Sequence, residues 1–323
     1  MLSIAFIAVG GLLLIFSAHY LVINAVAVAR LVNVPPLLIS LTVVAFGTSA
    51  PELVVSIDAI LAYHPDIVMG NIIGSNIANV LVVLALAAII SPVSMPYHGI
   101  KSESLWMAGV TGLFALLCFT GLIAWWHGVI MVLGLVVFSY VSYRRMRADG
   151  DDADALLEEF ESPESGGNSA GGKSGGLGVK VLVIIVALAL LALGAELFVR
   201  GAVGVSRLLN VPEAVIALSV VALGSAAPEI VTAVVAAWHR HGDIALGNVI
   251  GSNIFNLLGI MGVTALVSPI PVDRHFLEVD IFVLLATTLL LTGLCWWGRA
   301  IGRLTGCAMV LAYGAYVVFI FIG

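Results

Sequence analysis

An all-α integral membrane protein, with ten transmembrane helices arranged as two inverted five-helix repeats, is the fold class this 323-residue sequence predicts. Three observations predict it. The mean hydropathy is +1.17, with 61% hydrophobic and only 10% charged residues, against about 25% charged in soluble domains. Apolar runs of about 20 residues, each enough to cross a ~30 Å hydrocarbon core, recur from end to end. Two passages are also written into the chain twice, 177 residues apart. Val43-Val44-Ala45-Phe46-Gly47-Thr48-Ser49-Ala50-Pro51-Glu52 returns as Val220-Val221-Ala222-Leu223-Gly224-Ser225-Ala226-Ala227-Pro228-Glu229, and Gly70–Asn79 returns as Gly247–Asn256.

The apolar runs predict spans near residues 2–24, 36–62, 67–90, 104–122, 128–143, 180–200, 213–238, 244–267, 280–296 and 304–322. The first has no basic leading region and no cleavage-site pattern, so it reads as a retained span. Residues 1–143 form the first repeat, 144–179 a linker, and 180–323 the second repeat. The linker gathers eight acidic residues between Asp149 and Glu164 and then runs Gly/Ser-rich from Gly166 to Gly178, the composition of a flexible connection. An odd number of spans per half makes the second half enter the membrane from the opposite side, an inversion that many secondary transporters use. Basic residues set the orientation. With the N-terminus outside, ten of the thirteen Lys and Arg lie inside, the Arg144-Arg145-x-Arg147 cluster among them, and only Arg200, Arg207 and Arg274 lie outside. Both termini are then extracytoplasmic and the linker cytoplasmic. Trp125, Trp126, Trp296 and Trp297 fall at span ends, as interfacial aromatics do.

Other function classes find little support. Cys118, Cys295 and Cys307 lie in apolar runs without metal-ligand spacing, and read as buried thiols packed as small hydrophobes. The net charge of −6 comes largely from the linker and carries no signal for nucleic acid. No frame of the acidic run matches a calcium-binding loop with its closing glutamate. HExxH is absent from the sequence, and the letters that match Gly-x-Ser-x-Gly (Gly167–Gly171 and Gly172–Gly176) or a Walker-type loop (Gly167–Ser174) fall in the Gly/Ser-rich linker, without the flanking strand and helix these motifs need, so the chain reads as a transporter and not an enzyme. A passive channel also wants oxygen-lined helices, but more naturally forms from an oligomer around a pore.

The repeated passages hold the chemistry. A carboxylate inside an apolar run is costly in a membrane and marks a functional site. Pro51 and Pro228 lack an N–H, so the carbonyls of Gly47 and Gly224 lose their helical partners. Unwound backbone at membrane depth is tolerated only inside protein or beside water. The carbonyls of Ala45, Gly47 and Thr48, and of Ala222, Gly224 and Ser225, are therefore candidate cation ligands. The hydroxyls of Thr48, Ser49 and Ser225 add oxygens, and Thr48 and Ser49 should lie on the side of Glu52. The second passage supplies another wall: Asn71, Ser75 and Asn79 at i, i+4, i+8, with Asn248, Ser252 and Asn256 as twins. Gly70/Gly74 and Gly247/Gly251 form Gly-xxx-Gly pairs that let helices approach closely. One such proline or glycine pair ordinarily means a kink or packing. The glutamates Glu52 and Glu229 beside both kinks, with matching amide stripes, point to a cage of hard oxygen ligands suited to Ca²⁺ or Na⁺. Glu196 and Arg200, spaced i, i+4, read as a local ion pair.

These paired Gly-Thr-Ser-Ala-Pro-Glu52 and Gly-Ser-Ala-Ala-Pro-Glu229 motifs, with the Gly-Ser-Asn-Ile-x-Asn stretches, resemble the alpha repeats of the calcium/cation antiporter superfamily, and most of all prokaryotic sodium/calcium exchangers. The resemblance covers both halves in order. It implies an inner-membrane protein in which the repeats meet at mid-membrane and acidic and amide side chains bind either Ca²⁺ or several Na⁺. Carried over by position, Glu52, Glu229, Asn79 and Asn256 are the corners, and Thr48, Ser225, Ser75 and Ser252 add hydroxyl or carbonyl oxygens. Ala45 and Ala222 add carbonyls, and the first long helix and its twin slide to switch access. Two departures stand out. Ala226 replaces the serine matching Ser49, which removes a sodium ligand. Asn256 stands where some relatives carry Asp, which argues against potassium dependence.

Charge arithmetic then favours exchange. Two ionised glutamates carry −2, which one Ca²⁺ neutralises, whereas an empty charged site is costly to occlude. The site should move only when loaded with Ca²⁺, several Na⁺, or protons. The expectation is Na⁺-driven Ca²⁺ exchange by a chain functional as a monomer, with inorganic cations and membrane lipid as partners and no bound cofactor. Ca²⁺/H⁺ antiport through the same glutamates is the alternative.

Overall fold

The computed structural model describes residues 2–32, 34, 36–94, 98–148, 176–209, 226–298 and 300–322. The expected linker core at 149–175 and the expected ligands Ala222 and Ser225 lie outside them. In chain order the elements are α1 (Leu2–Leu31), α2 (Pro36–Thr48), α3 (Ala50–Leu61), α4 (Pro65–Ile90), α5 (His98–Cys118), β1 (Leu122–Ile123), α6 (Trp125–Ala148), α7 (Leu177–Leu208), α8 (Ala227–Trp238), α9 (Gly242–Val267), β2 (Ile270–Pro271), α10 (Phe276–Trp297) and α11 (Arg303–Ile322). Among the described residues seven helices are long and apolar enough to cross a membrane. The pair α2–α3, bent by 40° at its break, makes an eighth. The protein is thus a helical integral membrane protein. Its one described ladder pairs Leu122 with Pro271 and Ile123 with Ile270.

Several helices outrun their apolar windows. α1 continues to Leu31 and carries Arg30 in its last turn, and α7 runs on past Arg200 to Leu208. The backbone ladder does not stop where the bilayer does: a basic side chain near a helix C-terminus is favourable to the dipole and reaches water. Glu196 and Arg200 form the expected i, i+4 pair on exposed α7 surface.

Burial sorts the helices into a centre and a shell. α4 and α9 are 72% and 89% buried over their apolar windows, whereas α11 is only 11% buried. α4 and α9 carry the repeated Gly-Ser-Asn passages, so those lie in the middle of the bundle. In the shell, α1 and α7 pack antiparallel. A Cβ at Gly10 would stand 2.5 Å from the backbone nitrogen of Phe198, and Ser3 and Ile7 lie against Gly201. Close backbone approach of this kind is how membrane helices gain packing contact without a hydrophobic drive between them. The peripheral place of α11 also corrects one expectation: Cys118 and Cys295 are buried, but Cys307 is exposed.

The repeat is visible in the contacts. Thr111 on α5 and Thr288 on α10 are 177 residues apart and their hydroxyls meet at 3.4 Å. Residues at equivalent places in two halves touch only near an axis relating them. α4 widens into a π-helical segment at Asn79–Leu84, and α9 does so at Phe255–Ile260. Allowing for the offset these coincide within a residue. Single π-helical turns inside α-helices are frequent at functional sites.

Candidate cation-binding site

The break in the second span is set by Pro51. α2 ends at Thr48, Ser49 sits at φ −85°, ψ 6°, and α3 starts at Ala50. In the second half Ala226 holds almost the same conformation, φ −82°, ψ 1°, before α8 starts at Ala227. Each proline therefore stands in the first turn, where its missing N–H costs nothing. Glu52 and Glu229 also fall in these first turns, where the helix dipole favours a carboxylate. They are 1% and 2% exposed, and Glu52 feels the charge of Glu229.

The hydroxyls beside the first break cross to the other repeat. Ser49 Oγ–H donates to Glu229 Oε1 at 3.2 Å, and Thr48 Oγ1–H donates to Asn248 Oδ1 at 3.3 Å. The helical spacing predicts both on the side of Glu52. The turn at Ser49 is not helical, so its side chain aims across the interface. The second correction concerns Ala45. Its carbonyl is not released by the break: it accepts the N–H of Ser49 at 3.1 Å and the Thr48 hydroxyl at 3.4 Å. Pro51 frees carbonyls four residues behind it, and Ala45 lies beyond that reach.

α4 and α9 bring the amides. Asn79 Nδ2–H donates to Asn253 Oδ1 at 3.0 Å, and Asn253 Nδ2–H donates to the carbonyl of Asn76 at 3.3 Å. Asn71 Nδ2–H braces α3 through the Glu52 carbonyl at 3.2 Å and Ser56 Oγ at 3.0 Å. Ser252 and Asn256 are fully buried, whereas Ser75 is half-buried. Asn76 and Asn253 are buried site neighbours that the i, i+4, i+8 stripe does not single out. They lie one residue past Ser75 and Ser252 and so point off that stripe. Their identity at both copies of the repeat is the signal that could have found them. α9 can press on α2 because Gly251 has no side chain: a Cβ there would stand 2.2 Å from the Leu41 carbonyl oxygen. Gly247 likewise lies against Leu37 and Ser40. Gly70 and Gly74 make no such contact among the described residues, and residues 213–225, the equivalents of α2, lie outside these.

Among the described residues seven buried side-chain oxygens are left without a protein partner: those of Thr232 and Thr264, and, within the twice-written passages, Glu52 Oε2, Glu229 Oε2, Asn76 Oδ1, Ser252 Oγ and Asn256 Oδ1. Buried polar atoms in native proteins are almost always hydrogen-bonded, and an unsatisfied one costs about 1–3 kcal/mol. Orphaned oxygens around two carboxylates form a donor set for a hard cation. Among the described residues no three His, Cys, Asp or Glu side chains converge. The set thus rests on two carboxylates with amide and hydroxyl oxygens, not on imidazole or thiolate.

Fold and site define a multi-spanning membrane protein that buries two carboxylates, amides and hydroxyls in the first turns of α3 and α8 and along α4 and α9. The family model described as sodium/calcium exchanger protein matches residues 2–144 and 179–322. The putative antiporter CaxA of Alkalimonas amylolytica is 33% identical, over 98% of both chains. The sodium/calcium exchanger MaX1 of Methanosarcina acetivorans is 30% identical, over 97% of this chain and 96% of its own. A solved structure of the sodium-calcium exchanger NCX_Mj superposes with a TM-score of 0.83 at 28% identity, covering 98% of both chains. The chain belongs to the sodium/calcium exchanger protein family, within the calcium/cation antiporter superfamily.

Proposed function

We propose that this protein exchanges Na⁺ for Ca²⁺ across the membrane by alternating access at one mid-membrane site. Glu52 and Glu229 supply the charge, and Asn79, Asn256, Thr48, Ser49, Ser225, Ser75 and Ser252 supply oxygens, with the carbonyl of Ala222. The reading includes ten spans as two inverted repeats, 1–143 and 180–323, joined by a cytoplasmic linker at 144–179. Both termini are extracytoplasmic, and a monomer suffices. The observation that carries it is that five buried, unpartnered oxygens belong to the twice-written passages, two of them on the carboxylates of Glu52 and Glu229. Desolvating two charges without a counter-ion costs several kcal/mol per ion. The empty site therefore resists occlusion, and the loaded site does not. The names of MaX1 and NCX_Mj, both sodium/calcium exchangers, support the choice of ions.

One observation favours a second reading. Glu229 accepts a hydroxyl from Ser49, but the equivalent place beside Glu52 is Ala226. A missing hydroxyl oxygen weakens sodium coordination, and protons on the two glutamates would then serve as the counter-ion. The test is ⁴⁵Ca²⁺ uptake into proteoliposomes preloaded with Na⁺, with protonophore present and no external Na⁺. Uptake that requires internal Na⁺ supports sodium/calcium exchange. Uptake that ignores Na⁺ and follows an imposed pH gradient, with protonophore omitted, overturns it in favour of Ca²⁺/H⁺ antiport.

A further inference from the structure

The two halves are equivalent in sequence but not in packing. α1 lies along α8: Leu14, Ala18, Leu21, Ala25 and Val28 share a core with Ala227, and Val231 and Val235 pack onto it. The equivalent seam would set α7 on α3. There Val54 and Val55 are 59% and 41% exposed, whereas Thr232, the twin of Val55, is fully buried on α8, so that seam is apart. One seam is shut, on the side of the membrane where the linker attaches, and its counterpart is open.

A pair of histidines lies in the shut seam. His19 Nδ1 of α1 meets Nε2 of His239, the residue after α8, at 2.9 Å, with ring centroids 4.9 Å apart. Counting 177 residues on from His19 gives Glu196, and back from His239 gives Ala62. The open seam therefore has no such pair. Neither histidine is among the site residues, and they are 220 residues apart in sequence.

We propose that His19 and His239 form a one-sided, pH-sensitive latch that holds the α1–α8 seam shut while at least one of the two imidazoles is neutral. A neutral imidazole has one donor and one acceptor nitrogen, and a protonated one has two donors. The contact survives one added proton. A second leaves two donors and two like charges face to face, and the latch opens.

The surroundings bias it in the same direction. His241 follows in the connection to α9, and it feels both His239 and Arg30 of α1. Burial first, then those two charges, push His241 down to about 4. Burial and then His19 also hold His239 below its ordinary value. Arg240 adds a further cation beside His239 in the chain, and the acidic Asp243 follows at the start of α9. The other elements packed here bring no charge: α7 sets Ile184, Ala187 and Leu191 against this part of α1, and Pro36–Ile39 of α2 and Ala85–Ile90 of α4 are apolar. A group whose value is lowered in the shut state favours that state above its ordinary range, near about 6.5 for histidine. That preference is lost as the pH falls through the lowered value. Acid on the linker side therefore releases the seam.

The latch needs no transported ion, so its test is separate from that of exchange. Spin labels at Leu31→Cys and Trp238→Cys, both exposed positions, in a Cys307→Ser background report the seam by pulsed electron–electron distance measurement in nanodiscs at fixed Na⁺. One net hydrogen bond corresponds to about a two- to ten-fold change in the shut-to-open ratio. The ratio is expected to fall by that factor between pH 8 and pH 5. In His239→Gln, and independently in His19→Gln, a side chain that bonds without titrating should hold the ratio constant. No pH shift in the parent protein, or the same shift in both glutamine variants, overturns the proposal.

Discussion

A methyl group at Gly251 tests how the site is held. In α9 a Cβ at this position would stand 2.2 Å from the Leu41 carbonyl oxygen and 2.8 Å from Ala45 Cβ, whereas ordinary contact begins at 3.4 Å. The obstacle is backbone within the π-helical segment Ser40–Val44, not the end of a flexible side chain. α2 must therefore retreat from α9 by about 1.2 Å to relieve it. α2 ends at Thr48 and leads into Ser49, whose hydroxyls reach Asn248 and Glu229 at 3.3 and 3.2 Å. A displacement of that size takes both beyond hydrogen-bond range. Misplacing binding groups by about 1 Å can cost about 10²-fold in rate, and overpacking of this kind typically costs about 1–3 kcal/mol in stability. Gly251→Ala should lower the initial rate of ⁴⁵Ca²⁺ exchange in proteoliposomes about a hundred-fold per folded molecule and reduce the melting temperature. A rate within three-fold of wild type, with unchanged melting, would refute the claim that this contact sets the site.

Two further outcomes follow from other residues. Ala226 shares the backbone conformation of Ser49 within a few degrees, so Ala226→Ser should give Glu52 the hydroxyl that Glu229 already has. Half-saturating Na⁺ for ⁴⁵Ca²⁺ exchange is expected to fall several-fold, and an unchanged Na⁺ dependence would count against this position facing the site. Tyr316 O–H donates to Oδ1 of the buried Asp280 at 2.7 Å, tying α11 to α10. Tyr316→Phe should destabilise the protein by about 1–3 kcal/mol, read as a lower melting temperature. Equal melting would mean Asp280 finds another donor.

Much of this arrangement is legible in the sequence because a repeated proline–glutamate pair has few physical readings in a membrane. Glu52 and Glu229 are buried in the first turns of twin half-helices, as their prolines imply. The direction of Ser49 is not legible, because the turn at φ −85°, ψ 6° abandons the helical spacing from which it would be inferred. Asn76 and Asn253 lie off the polar stripe of their helices, yet they link α4 to α9. Their importance emerges only when both helices are side by side. Helix ends are read poorly for a related reason. Hydropathy marks the hydrocarbon core, whereas α1 and α7 end where their backbone ladders end, one residue past Arg30 and Arg207. The one-sided packing of α1 on α8 is invisible in a sequence whose halves match, since one repeat pattern serves both seams.

The central claim is that Glu52 and Glu229 together form one Ca²⁺ site. Its most direct test is ⁴⁵Ca²⁺ exchange by Glu52→Gln and Glu229→Gln, each reconstituted as folded protein. Glutamine keeps the shape and removes one negative charge, so a single remaining carboxylate cannot neutralise a divalent ion. The account predicts that each variant alone loses exchange. Exchange at wild-type rate in either one would contradict it.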